Sequence, residues 1–206
     1  MGYKVIVAGI GPGNEKYILP VAMDAIRNAR VIAGGKRALS GLANSNQKKI
    51  VIGSDIDSTI NEIKACLQND DVTVMVSGDP GFYSFLVRLK KEFAELEVIP
   101  GISSLQMAFA RIARPWQNAE FLSLHGKSLD DSKLYYEKGR ELGFLTDDNN
   151  GPANIAGRLI NLGWPVDTLC YVCSNLSYDD ELVEEYVLSD MADKASAKNC
   201  VVVVTG

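Results

Sequence analysis

Gly9-Ile10-Gly11-Pro12-Gly13 closes a hydrophobic run at residues 3–8, and two further turns repeat the arrangement. They are Ser77-Gly78-Asp79-Pro80-Gly81, after the run 72–76, and Pro100-Gly101-Ile102-Ser103-Ser104, after the run 96–99. A buried strand ending in a glycine turn that leads into helical spacing is one unit of an alternating α/β sheet. The turns of such units lie along the carboxyl edge of the sheet, where open α/β sheets bind ligands. Three of them in the first half of one chain predict a cleft for a small molecule.

The intervening segments fit the same plan. Residues 15–30 have helical spacing through Ile18, Leu19, Ala22 and Ile26, and residues 31–33 and 50–52 read as short strands. Thr59 begins a predicted helix with a capping-box partner at Glu62, and Ile60, Ile63 and Leu67 share one face. Helices are predicted over 82–93 and 103–113. The expectation is a mostly parallel sheet with helices on both faces. The rhythm breaks at Arg114-Pro115-Trp116-Gln117-Asn118. Strands at 121–124, 144–146, 169–173, 182–187 and 201–205 follow, with helices near 133–140, at 153–162 (stopped by Gly163) and near Met191. Their hairpin-like spacing predicts a mixed sheet. The fold class is therefore α/β, with an N-terminal domain at 1–115, a C-terminal α/β domain at 116–206, and a ligand cleft expected between them.

Bulk properties narrow the function. The chain has 206 residues, 47% of them apolar, and a formal charge of −5. No basic run marks a nucleic-acid binder. No apolar stretch approaches the roughly 20 residues that span a bilayer. The chain enters a strand at once, without a signal-peptide pattern, so a cytoplasmic location is expected. Four cysteines in a chain of this length do not form a disulfide framework.

The turns exclude some chemistries. Gly9-x-Gly11 invites the dinucleotide fingerprint G-x-G-x-x-G, but Asn14 holds the sixth position. Pro12 removes a backbone N–H of the kind that cradles phosphate, and no lysine followed by Ser or Thr completes a P-loop. A dehydrogenase is disfavoured accordingly. At Asp79, Ser103 and Ser104 two readings stay open: simple helix capping, or groups that hold the adenine, ribose or carboxylate of a ligand.

In their order and spacing the three turns resemble those of the tetrapyrrole methylase family. The run Ile99-Pro100-Gly101-Ile102-Ser103-Ser104-Leu105-Gln106, with Ala110-Arg111 and Trp116-Gln117, is similar to the branch acting at C5 of a precorrin-6/7 ring. So are Gly34-Gly35-Lys36-Arg37, Gly81-Phe82-Tyr83, Ser123-Leu124-His125-Gly126, Leu145-Thr146-Asp147 and Ser174-Asn175-Leu176. The resemblance implies methyl transfer from S-adenosylmethionine to a tetrapyrrole in cobalamin biosynthesis, with S-adenosylhomocysteine as product. It places Pro12, Ser77, Gly78, Asp79, Phe82, Ser103, Ser104, Thr146 and Leu176 at the cofactor. It implies a homodimer, and leaves open whether a separate enzyme performs C15 methylation and decarboxylation; the residues themselves offer no metal-ligand spacing. Two departures stand out: Lys127 where the branch often has arginine, and Ser177 where glycine is common. The alternatives are another branch (uroporphyrinogen, protein or RNA as substrate) and a non-catalytic tetrapyrrole- or nucleotide-binding module.

The resemblance also gives meaning to scattered charges. Tetrapyrrole precursors carry many carboxylates, so an acidic protein needs local cations, and Lys36, Arg37, Arg111, Arg114 and Lys127 are the candidates. His125, the single histidine, is a candidate for proton transfer or for a supporting role in the cleft. Cys170 and Cys173 are read as buried thiols on opposite faces of one strand. Asp147-Asp148-Asn149-Asn150 is read as a polar turn with a helix cap. Asp179-Asp180-Glu181 and Glu184-Glu185 are read as solvated faces.

Overall fold

A computed structural model describes residues 2–124, 131–193, 197 and 199–206 of the chain. These divide into two compact units, Met1–Ser103 and Ser104–Gly206.

The first unit is an all-parallel sheet in the order β3-β2-β4-β1-β5. Its strands are β1 (Val5–Gly9), β2 (Val31–Gly34), β3 (Lys48–Val51), β4 (Val72–Val76) and β5 (Leu96–Ile99). β1 and β4 are buried on both faces, which is why their sequences are continuous apolar runs rather than alternating ones. Val5, Val7, Val72, Val74 and Val76 point to one core with α3 (Ile56–Cys66) and α4 (Leu86–Glu92). Ala8, Ile32 and Met75 point to the other, with α1 (Pro20–Asn28) and α2 (Lys36–Leu42). Helices do cover both faces.

Three helix starts differ from expectation. Residues 15–30 are not one helix. Asn14 caps a 3-10 turn at Glu15–Tyr17, and α1 begins afresh at Pro20. Proline lacks the N–H a continuing helix needs and pushes Leu19 to an extended ψ of 141°. α3 starts before Thr59, because Asp55 accepts a hydrogen bond from the Ser58 N–H (3.0 Å) and caps the helix there. α4 starts only at Leu86. The preceding residues form a turn in which Tyr83 has φ 46° and the Ser84 hydroxyl donates to the Pro80 carbonyl.

The second unit carries a mixed sheet in the order β6-β7-β10-β8-β9. Its strands are β6 (Ala119–Ser123), β7 (Glu141–Leu145), β8 (Leu169–Ser174), β9 (Leu182–Val187) and β10 (Cys200–Thr205). Only β6 and β7 run parallel; the remaining pairs are antiparallel. On one face Leu142, Phe144, Val172, Val202 and Val204 pack with α6 (Pro152–Asn161) and α7 (Leu188–Ala192). On the other lies α5 (Ser104–Arg111), which packs on β7 and β10. Phe109 stands edge-on to Phe121, 5.8 Å between centroids, and a side chain at Gly143 would meet Leu105 and Phe121. This packing moves the boundary from the expected position near Pro115 to Ser103/Ser104.

Gly163 does stop α6, at φ 90°, with the Trp164 N–H reaching back to the Leu159 carbonyl. The expected helix near 133–140 is absent. A 3-10 turn at Asp131–Lys133 is followed by irregular chain. The Lys133 and Tyr135 carbonyls accept from the buried Arg140 guanidinium instead of from helical N–H groups, and Gly139 sits at φ 83°.

Candidate functional site

The three glycine turns meet. β4, β1 and β5 are neighbours, so the carboxyl ends of the three strands lie side by side. Gly11 and Gly78 form a two-hydrogen-bond bridge: Gly78 N–H to the Gly11 carbonyl at 2.8 Å, Gly11 N–H to the Gly78 carbonyl at 3.3 Å. Both have φ 70°, a left-handed conformation in which a Cβ is costly. A Cβ on Gly101 would lie 2.2 Å from the Gly78 carbonyl oxygen, and one on Gly9 would lie 2.7 Å from the Gly101 nitrogen. The three turns thus pack backbone on backbone.

Asp79 braces the junction. One carboxylate oxygen accepts from the Gly81 N–H (2.7 Å) and the other from the Gly101 N–H (2.9 Å). Asp79 is not the helix cap that its sequence context allows, because α4 begins only at Leu86 with Phe85 as its N-cap. It ties the turn after β4 to the turn after β5.

This junction is also the switch point of the sheet. The chain leaves β1 for a helix on one face and leaves the adjacent β4 for a helix on the other. Adjacent strands whose connections diverge leave a crevice at their carboxyl ends, and ligands bind there. Residues 9–13, 77–82 and 100–104 contain one carboxylate, several hydroxyls and no cation. Such a donor set does not suit a polyphosphate. It suits a ligand without phosphate groups, met by hydroxyls, one carboxylate and backbone groups. Pro12, Gly78, Asp79 and Phe82 are partly exposed there, Ser77 is exposed and Ser103 is buried against Gly78. Ser104 opens α5 in the second unit.

In the second unit, Thr146 directly follows β7 and is buried. Its hydroxyl donates to the Cys200 carbonyl at 2.6 Å, so its side chain is already engaged. Leu176 is buried in a turn that includes two residues of positive φ, Asn175 (47°) and Ser177 (75°). Glu181, read from sequence as solvated, holds this turn. It accepts from the Ser177 N–H at 2.6 Å and pairs with both Nε and Nη2 of Arg111. Arg111 holds the Glu181 carboxyl below the usual carboxylate range; burial opposes this and the Ser177 N–H reinforces it. Nothing local in sequence foretells a pair so far apart along the chain.

The candidate cations separate into two groups. Arg111 is paired with Glu181, and Arg114 directs Nε (3.1 Å) and Nη2 (2.7 Å) at one oxygen of Glu141. Lys36 and Arg37 are exposed at the start of α2, just past Gly34 at the carboxyl end of β2. His125 and Lys127 lie outside the described residues. Among the described residues no His/Cys/Asp/Glu group is arranged for a metal, and no helix is long and apolar enough to cross a membrane. Cys170 and Cys173 are buried and free, on opposite faces, and burial pushes both thiols up to about 12. Asp147 closes its own turn by accepting from the Asn149 and Asn150 N–H groups; Gly151, not Asp147, is the cap of α6.

A cation-poor glycine junction at the switch point of a parallel sheet, in a chain whose second unit is a mixed sheet, defines the class as a two-unit α/β protein with a candidate ligand site at the carboxyl edge of its first sheet. Comparison with known proteins gives the family. The family model for tetrapyrrole (corrin/porphyrin) methylases matches residues 4–192, and the chain belongs to that family. It is 31% identical to a probable cobalt-precorrin-7 C(5)-methyltransferase of Methanocaldococcus jannaschii, over 92% of both chains. The structure of a precorrin-6Y methylase from Archaeoglobus fulgidus is similar at TM-score 0.72 and 25% identity, covering 98% of this chain and 97% of that one. A uroporphyrin-III C-methyltransferase of Thermus thermophilus, solved with S-adenosylhomocysteine, shares the fold at TM-score 0.75 and 19% identity, covering 98% and 91%.

Proposed function

We propose that the protein is an S-adenosylmethionine-dependent C-methyltransferase acting at C5 of a precorrin or cobalt-precorrin ring in cobalamin biosynthesis. The observation that carries this reading is the bridged junction of Gly9, Gly11, Gly78 and Gly101 braced by Asp79, in a chain that belongs to the tetrapyrrole methylases. The branch is supported by the likeness to the Methanocaldococcus jannaschii C(5)-methyltransferase, which covers most of the chain.

The proposed cofactor contacts in the first unit are Pro12, Ser77, Gly78, Asp79, Phe82 and Ser103. Ser104, Thr146 and Leu176 are proposed on the family pattern, Thr146 through its backbone because its hydroxyl is engaged. When bound, the cofactor supplies an activated methyl group. The chain then has little acid–base chemistry to perform. Its part is alignment: the turns would hold the cofactor, and the chain would keep the ring carbon in line with the methyl, at a near-attack distance of about 3–3.5 Å. Lys36, Arg37 and Lys127 are proposed to meet the carboxylates of the macrocycle. For Arg111 and Arg114, which pair with Glu181 and Glu141, a bracing role is proposed in place of a macrocycle contact. His125 is proposed as a proton acceptor or supporting group. A cytoplasmic homodimer, and a separate enzyme for the C15 step, complete the proposal.

The test is turnover. Purified protein mixed with S-adenosylmethionine and a reduced precorrin-type tetrapyrrole releases S-adenosylhomocysteine and adds one methyl to the ring. Binding of both ligands without release would identify a carrier instead.

A further inference from the structure

Arg111 stands in α5 and Glu181 stands just before β9, yet they form one unit with the turn at Asn175–Ser177. Glu181 is mostly buried, with its side chain 20% exposed. One carboxylate oxygen accepts from the Ser177 backbone N–H (2.6 Å) and from Arg111 Nη2 (3.2 Å), while Arg111 Nε donates to the other. The turn does not adopt this shape for free. Asn175 and Ser177 both have positive φ, a left-handed conformation that disfavours a residue with a Cβ, serine more than asparagine. The turn is tied at its other end as well: Asn175 donates to Asp180 (2.8 Å) and accepts from the Asn199 amide (2.9 Å). Just before it, the Ser174 hydroxyl oxygen is buried with no hydrogen-bond partner.

We propose that Arg111 is a positioning residue for the cofactor rather than a contact for the macrocycle: through Glu181 it fixes the Ser177 N–H and so holds the turn carrying Leu176 in its binding shape. This rests on the proposed assignment of Leu176 to the cofactor. A strained turn with a buried, unpartnered hydroxyl at its base is shaped before any ligand arrives, and the guanidinium–carboxylate fork supplies the constraint. Arginine suits the task better than lysine because two parallel donors fix the carboxylate plane, and with it the oxygen that faces Ser177.

The experiment compares Arg111→Met, Arg111→Lys and Glu181→Gln with the parent protein. Calorimetry measures S-adenosylhomocysteine affinity, steady-state kinetics measure KM for the tetrapyrrole, and hydrogen exchange without ligand measures protection at the Ser177 amide. The expected result is affinity for S-adenosylhomocysteine weakened about tenfold in Arg111→Met and Glu181→Gln. The double variant should be no worse than either single one, Arg111→Lys should be intermediate, and tetrapyrrole KM should stay within about twofold, inside the usual scatter for a site not touched. Exchange at Ser177 should be faster in every variant. An unchanged cofactor affinity in folded variants, or a selective rise in tetrapyrrole KM, overturns the proposal. Should Arg111→Met not fold, Arg111→Lys and the Ser177 amide carry the same decision. A parent protein that binds no S-adenosylhomocysteine would instead overturn the functional reading itself.

Discussion

The carboxylate of Asp79 accepts the backbone N–H of Gly101 at 2.9 Å, joining two turns that lie 22 positions apart in sequence. The bond makes the ends of β4 and β5 one rigid edge, with β1 between them in the sheet. With the Gly81 N–H on its other oxygen, the carboxylate is held at both ends by backbone donors.

Replacing Asp79 tests that bracing. Asp79→Ala leaves the Gly81 and Gly101 N–H groups without their acceptor and should cost about 1–3 kcal/mol in chemical denaturation. Asp79→Asn keeps one acceptor oxygen and should lose about half as much.

Glycine identity should matter only where backbones touch. Gly101→Ala forces a Cβ onto the Gly78 carbonyl and should destabilise by about 3 kcal/mol or more, or prevent folding. Gly157→Ala, inside α6 with open space around it, should instead stabilise by about 0.5–1 kcal/mol. Paired thermal melts decide both.

Ser177 pays for its left-handed φ with backbone strain. Ser177→Gly should therefore raise stability by about 0.5–1 kcal/mol while leaving the Glu181 contact in place. Denaturation at neutral pH measures it.

Acid should weaken the Arg111–Glu181 link. The Glu181 carboxyl is lowered in the folded protein, first by its hydrogen bond from Arg111. A lowered folded value means stabilisation that is present above the unfolded carboxylate value, about pH 4.3, and is lost as pH falls through the folded value. The parent protein should lose stability over that acidic range, and Glu181→Gln should show a flatter profile.

Much of the fold is legible in the sequence, for physical reasons. β1, β4 and β10 are buried on both faces, and their valine-rich runs announce it. Gly163 and Pro20 act locally, although the break that Pro20 imposes on residues 15–30 is visible only when the restriction on Leu19 is taken seriously. What stays hidden depends on partners distant in sequence. The order β3-β2-β4-β1-β5 brings the three turns together, and no local pattern encodes that order. Residues 133–140 have helical spacing, yet the Arg140 guanidinium takes the Lys133 and Tyr135 carbonyls. Glu181 sits in an acidic run that reads as solvated, until α5 brings Arg111 to it. At the candidate site the turns themselves were visible, whereas the bridge between Gly11 and Gly78 and the span of Asp79 were not.

The central claim is that the junction of Gly11, Gly78 and Gly101 holds a sulfonium nucleoside. A crystal structure of the protein grown with saturating S-adenosylhomocysteine tests it most directly. The predicted result is the nucleoside seated against Pro12, Gly78, Asp79 and Ser103. Fully occupied ligand elsewhere on the chain, with these turns in contact with solvent alone, would contradict it.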